Sequence, residues 1–180
     1  MANPTVSPEA YTTYGMLSKY DWSPRFKAAL MGSIEVESLD PKTKKSFEHT
    51  RKQKGGGTGY GLFQFERGYT DKKTGIYHKG QLDDYESFLK DHSLKDSKES
   101  QIDFVYKSMT TNGYDSKGNS KAPHEIGGTN RGMLQDAMKN QDINDSTESL
   151  MDDYFHSGVP HEDRRKKSSE KYRKAFKIKP

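Results

Sequence analysis

The chain has 180 residues, 30 basic and 26 acidic, for a formal charge of +4, and it contains no cysteine. This length favours one domain, and the missing cysteines exclude disulfides and thiolate-based metal or nucleophile sites. Only 29% of residues are hydrophobic, but the near balance of charge argues against disorder, and 11 Tyr, 8 Phe, 7 Met and one Trp can furnish a small core.

A pI near 9.0 suits an anionic polymer as target, a cell-wall polyanion or a nucleic acid. Plain solubility accounts for the lysines equally well. No stretch approaches about 18 consecutive apolar residues, so no membrane span is read. Met1-Ala2-Asn3-Pro4 opens no charged-then-apolar leader, so no signal peptide is visible.

Taken in chain order, residues 1–13 are Pro- and Thr-rich and read as irregular, with a short helix over 14–20. Ser23-Pro24 is an N-cap followed by proline at the first helical position, which predicts a helix running to about Glu37. Phe26, Leu30, Ile34 and Glu37 fall at i, i+4, i+8 and i+11, on one stripe. That spacing puts Glu37 on the buried face and turns Glu35 roughly 160° away. Residues 40–60, Lys-rich and then Gly-rich, read as a loop. Helices follow over 82–91 and 98–109, the second with a stripe of Ile102, Val105, Tyr106 and Met109. Residues 111–128 are turn-dense. Segments 131–139 and 146–156 read as helical. Pro160 then opens a last helix with Glu162 and Asp163 at its start and Arg173, Lys174 and Lys177 at its end, matching the helix dipole. No sustained strand alternation is present. The chain reads as mainly α, with α+β as the alternative.

Two segments carry the chemistry. Met31-Gly32-Ser33-Ile34-Glu35-Val36-Glu37-Ser38-Leu39-Asp40-Pro41 ends a helix in an acid, a hydroxyl and a helix-stopping proline. Gly55-Gly56-Gly57-Thr58-Gly59-Tyr60-Gly61-Leu62-Phe63-Gln64-Phe65 is a glycine-dense turn running into an apolar and amide segment. Glycoside cleavage needs a general acid, and an apolar wall at a helix end keeps a carboxyl protonated for that role. Most such enzymes add a second carboxylate at a set distance, for which Glu48, Glu66 and Asp71 are the candidates. As a phosphate loop the glycine segment fails, because Leu62-Phe63 stands where Lys-Ser or Lys-Thr is needed. A plain flexible linker is the remaining rival. His156 and His161 lack the spacing of a zinc site. Arg164-Arg165-Lys166-Lys167 reads as a solvated helix face, with contact to nucleic acid or an anionic wall polymer as the alternative.

The pattern Gly32-x-x-x-x-Glu37-Ser38-x-x-Pro41 followed by Gly59-Tyr60-Gly61-Leu62-Phe63-Gln64-Phe65 resembles the phage tail-associated lysozyme family, related to lytic transglycosylases and goose-type lysozymes. Gln101-x-x-Phe104-Val105 and Tyr154-Phe155-x-x-Gly158-Val159-Pro160-x-x-x-x-Arg164 resemble further features of that family. The resemblance covers about residues 23–176, leaving 1–22 and 177–180 as flanking segments. It implies a lysozyme-like domain with a substrate cleft. Glu37 matches the catalytic acid, Ser38 the hydroxyl after it, and Gln64 and Phe65 the amide and aromatic of the cleft floor. Tyr60 and Gly61 complete the implied substrate-binding set. Phe65 stands where Trp is common, Ser33 where Asn is common, and Leu39 where Gly is frequent. Glu48 is the first candidate for a second carboxylate, although the goose-type kinship favours Glu37 acting alone.

The implied reaction is cleavage of the β-1,4 bond between N-acetylmuramic acid and N-acetylglucosamine, as a muramidase or a lytic transglycosylase, without metal or cofactor. The implied partners are peptidoglycan glycan strands and other virion or tail proteins, with no nucleic acid and no membrane span. The implied place of action is a phage tail at the bacterial wall. Two rivals stand beside this reading: a non-catalytic wall-binding virion component on the same fold, and a basic nucleic-acid-binding module.

Overall fold

The computed structural model describes residues 4–40, 42–53, 57–110, 138, 142–151 and 161–179. The turn-dense segment 111–128, the helix read over 131–139 apart from Met138, the end of the one read over 146–156, and Pro41, Gly55, Gly56 and Pro160 lie outside them. The described residues form helices α1 (Pro8–Leu17), α2 (Pro24–Glu37), α3 (Gln81–Asp91), α4 (Lys98–Thr110), α5 (Ile143–Leu150) and α6 (Glu162–Ala175). One two-stranded antiparallel sheet, β1 (Tyr69–Thr70) with β2 (Tyr77–His78), completes them, so the protein is mainly α with a little β. Among the described residues no helix is long and apolar enough to cross a membrane.

Caps explain where the helices start. The Ser23 hydroxyl accepts from the Phe26 N–H at 3.1 Å, with Pro24 at the first helical position. Ser7 and Pro8 do the same for α1, with Ser7 Oγ accepting from the Ala10 N–H at 3.2 Å. The sequence reading of an irregular 1–13 is therefore corrected: Ser7-Pro8-Glu9 is the same start signal as Ser23-Pro24. Ser97 and Ser100 cap α4 reciprocally, each hydroxyl accepting from the other's N–H at 3.1 and 2.9 Å. Asp142 accepts from the Asn144 N–H at 2.8 Å and so starts α5 ahead of the expected position 146. His161 precedes α6 in a left-handed conformation, φ 41°.

The described residues gather into two compact units, one drawn from 1–47 and 125–180, the other from 48–124. In the first, α2 is the central helix, packed on α1, α5 and α6. Its residues Ala28 to Ile34 are all buried, not one stripe only. A Cβ built on Gly32 would stand 2.5 Å from the Ser169 backbone nitrogen and 2.8 Å from its Cα. The two helices thus meet backbone to backbone at this point. Ser169 Oγ also lies 3.1 Å from Thr147 Oγ1 of α5. Aromatic rings close the remainder: Phe176 stacks on Tyr14 at 3.8 Å, and Trp22 lies 5.5 Å from Phe26 and donates to the Met138 sulfur at 3.1 Å.

The second unit packs α3 and α4 around Phe65, Tyr85, Phe88 and Phe104, with ring centroids 5.2 to 5.6 Å apart. Ile102, Val105 and Met109 of the expected stripe are buried.

The Gly32 contact yields a stability test. Gly32→Val should unfold the first unit or cost more than ~3 kcal/mol, because backbone, not a flexible side chain, blocks the new atoms. Gly15 of α1 has nothing within 4 Å of a built Cβ. Gly15→Ala should then stabilise by about 0.5–1 kcal/mol. Thermal unfolding of both variants checks the contrast, and equal effects would contradict it.

Candidate active site

Glu37 is the last residue of α2, and its side chain is 19% exposed. Arg165 of α6, 1% exposed, donates from Nη2 to Glu37 Oε1. The basic run of α6 is therefore corrected from a solvated face: Arg164 and Lys167 face solvent, whereas Arg165 is buried on the acid. The reason is helical period, since Arg165, Ser168, Ser169 and Tyr172 form the buried side of α6. Glu35 is not solvated either. It is 25% exposed, accepts from the Ser168 hydroxyl and pairs with Lys171 Nζ. Both carboxyls therefore meet α6, Glu37 through Arg165 and Glu35 through Ser168 and Lys171. Burial and the Glu35 charge together push the Tyr172 hydroxyl well above its usual pKa.

Ser38 caps the C-terminus of α2 and is fully buried. Its hydroxyl donates to the Ile34 carbonyl at 2.6 Å and accepts from the Phe47 N–H at 2.7 Å. That second bond returns the 39–46 loop to the helix end, with Phe47 in a left-handed conformation at φ 67° and edge-on to Tyr172. Ser38 thus fixes the backbone on which Glu37 sits.

The described part of the glycine turn, residues 57–65, is a built structure. The segment is paired on both sides: the Tyr60 N–H donates to the Phe65 carbonyl at 3.0 Å, the Tyr60 carbonyl accepts from the Phe65 N–H at 2.9 Å, and the Gly61 N–H donates to Arg51 O at 2.7 Å. Within the loop so closed, Gly61 has φ 81° and Gln64 φ 51°, and Gln64 Nε2 donates to the Gly61 carbonyl at 2.7 Å. Gln101 of α4 holds the turn from beneath: its Oε1 accepts from the Leu62 N–H at 2.9 Å, and its Nε2 donates to His49 O at 2.8 Å and Asp96 Oδ1 at 3.0 Å. A Cβ on Gly61 would stand 2.7 Å from Gln101 Nε2. Phe65 is fully buried between Phe63, Tyr85 and Phe104. Phe65 thus supports the turn from its core side, while Tyr60 and Gln64 are partly exposed.

Asp96 anchors this half. It accepts from the hydroxyls of Tyr60 and of Tyr85, the latter at 2.7 Å, and from Gln101. Burial alone would lift its pKa, but these three donors outweigh burial and hold the carboxyl below its usual 3.8. Burial first, and then the bond to Asp96, pushes the Tyr60 hydroxyl up from 10.0 to about 12. Asp96 and Arg165 were not singled out from the sequence as site residues; their partners are far along the chain, and no local pattern marks them. Gln101 was noticed only as part of the family pattern.

Of the carboxylates considered as a partner for Glu37, Glu48 and Glu66 are exposed. Asp71 Oδ1 accepts from the Lys73 and Thr74 N–H groups at 2.7 and 3.4 Å, shaping the β1–β2 turn. His156 lies outside the described residues.

The Asp96 network predicts a pH window. The folded pKa of Asp96 is lowered, so its stabilisation is complete above about pH 3.8 and is lost as pH falls through the folded value. That of Tyr60 is raised, so its share is complete below about pH 10 and fades as pH rises towards 12. Tyr60→Phe removes one donor and should move the Asp96 titration, followed by carboxyl NMR, upward. An unchanged titration would mean that Tyr60 does not hold Asp96. Gly61→Ala should cost more than Gly75→Ala, since both have positive φ but only Gly61 meets another group, the Gln101 amide.

A family model described as phage tail lysozyme matches residues 9–176, from the second residue of α1 to just past the end of α6. No curated protein and no solved structure matches the chain. The helical architecture with its small hairpin, the acid ending α2 and the Gln101-backed glycine turn all fall within the matched span. The chain belongs to the phage tail lysozyme family, a family of peptidoglycan-degrading phage lysins with a lysozyme-like, mainly α fold.

Proposed function

We propose that this chain cleaves the β-1,4 bond between N-acetylmuramic acid and N-acetylglucosamine, with Glu37 as general acid. The observation that carries the proposal is the Glu37 carboxyl itself: it is partly open to solvent at a helix end, and one oxygen is fixed by a buried arginine. A carboxyl held in this way keeps its direction without being sealed from substrate. In the proposed step Glu37 gives its proton to the bridging oxygen as the C1–O bond breaks. Attack on C1 by water, whose proton passes to the Glu37 carboxylate, gives a hydrolase. Attack by the muramic acid 6-hydroxyl gives an anhydro end instead. Gly61, Gln64 and Tyr60 are proposed to bind the sugar, with Ser38 and Phe65 holding the backbone that presents Glu37 and the turn. Glu48 and Glu66 are exposed and Asp71 serves its own turn, which favours Glu37 acting without a second carboxylate. The catalytic domain is proposed to span 23–176, and the protein to act from a phage tail, opening the wall locally, alongside other virion proteins.

Testing Glu37 requires separating chemistry from folding. Glu37→Gln removes the transferable proton and should lower turnover by at least ~10². It also takes the Glu37 charge away from the buried Arg165 guanidinium, which should cost about 1–3 kcal/mol. Adding Arg165→Met to Glu37→Gln should restore thermal stability while leaving turnover low. Glu35→Gln should lose stability by breaking the Lys171 and Ser168 links, yet keep turnover per folded molecule. Activity that returned with stability in the double variant would reject Glu37 as the acid.

A further inference from the structure

The β1–β2 hairpin exposes aromatic surface that the fold does not use. Tyr69, Ile76 and Tyr77 are 65%, 58% and 51% exposed. The hairpin is nevertheless firmly held at its base. Asp83, in the first turn of α3, accepts at Oδ2 from the Gly68 and Gly80 N–H groups, each at 2.9 Å, and from the Tyr77 hydroxyl at 2.7 Å. Its Oδ1 takes Arg67 Nη1 at 3.0 Å. These bonds outweigh burial and keep the Asp83 carboxyl below its usual pKa.

Register decides which face is used for anchoring. Thr70 opposes Tyr77, and from that face Tyr77 reaches Asp83. Tyr69 opposes His78 on the other face, where the two rings stack at 5.0 Å and 20° from parallel. Lys72 and Lys73 are exposed in the turn that lies one residue pair beyond it, and Lys79, which pairs with Asp84 at 3.4 Å, follows His78. The one acid of the turn, Asp71, has its carboxylate engaged by backbone N–H groups.

A flat aromatic face offers its negative π-surface to the C–H face of a pyranose, and lysines beside it suit a polymer that also carries carboxylates. Peptidoglycan has both, in its amino-sugar backbone and its lactyl-peptide acids. We infer that the Tyr69–His78 face of the hairpin is a docking platform for a peptidoglycan strand, with an amino sugar stacked on the ring pair and Lys72 and Lys73 meeting its carboxylates. This rests on the proposed action on peptidoglycan, and it adds a binding surface separate from the residues assigned to chemistry.

The test is co-sedimentation of the full chain, carrying Glu37→Gln and Arg165→Met to prevent digestion, with purified sacculi. Tyr69→Ala should weaken binding about three- to tenfold, Tyr69→Trp should keep it, and Lys72→Glu with Lys73→Glu should weaken it with a reduced salt dependence. With Glu37 and Arg165 native, Tyr69→Ala should leave turnover on short uncharged chitin-like oligomers unchanged, which separates failure of the platform from failure of the glycosidase reading. Unchanged sacculus binding by Tyr69→Ala would overturn the platform. Equal loss for Ala and Trp, accompanied by loss of self-association in sedimentation velocity, would assign the face to a second copy of the chain and overturn it as well.

Discussion

The backbone contact between Gly32 of α2 and Ser169 of α6 is the constraint on which the acid-bearing unit depends. Without a Cβ at residue 32 the two helices approach to the distance at which backbone atoms themselves touch. Four side chains of α6 then reach α2: Arg165 to Glu37, Ser168 and Lys171 to Glu35, and Ser169 towards the Ala29 carbonyl at 3.4 Å. A larger residue at 32 would separate these pairs together. The interface is polar for a helix crossing, and its burial is useful only because each charge finds its opposite.

The glycine turn is built on the same logic in another setting. Gly61 has no side chain, so the Gln101 amide can occupy the space beneath it and act as a strand partner, accepting from Leu62 and donating to His49. Asp96 and two tyrosine hydroxyls lock that amide in one orientation. Each unit therefore has a glycine where a side chain would block a neighbouring helix: at Gly32 the backbone of α6 fills the space, at Gly61 the Gln101 amide. Rigid support under groups that remain partly open is what a site needs for precise positioning.

Much of this was legible in local sequence. Ser23-Pro24 marked the start of α2 and Glu37 its end, and the readings of helices over 82–91 and 98–109, the second on its apolar stripe, set α3 and α4 within a residue. The start of α1 was equally legible in Ser7-Pro8, but the surrounding Pro and Thr content obscured it. The buried side of α6 could not be read from hydropathy, because Arg165, Ser168 and Ser169 are polar and are buried only through partners on α2 and α5. Glu35 was misplaced for a related reason: a stripe argument assumes one buried side, and α2 is packed on nearly all sides. Asp96 depends on donors from residues 60, 85 and 101, a long-range constellation that no local pattern predicts.

Glu37, the proposed acid, is partly open to solvent, and the buried guanidinium of Arg165 holds one of its oxygens from within. The central claim concerns the bond that is cut. Mass analysis of material released from purified peptidoglycan by the intact chain tests it most directly. The account predicts new muramic acid ends, either reducing or anhydro and one water apart in mass. New reducing N-acetylglucosamine ends, or cleavage within the peptides alone, would contradict it.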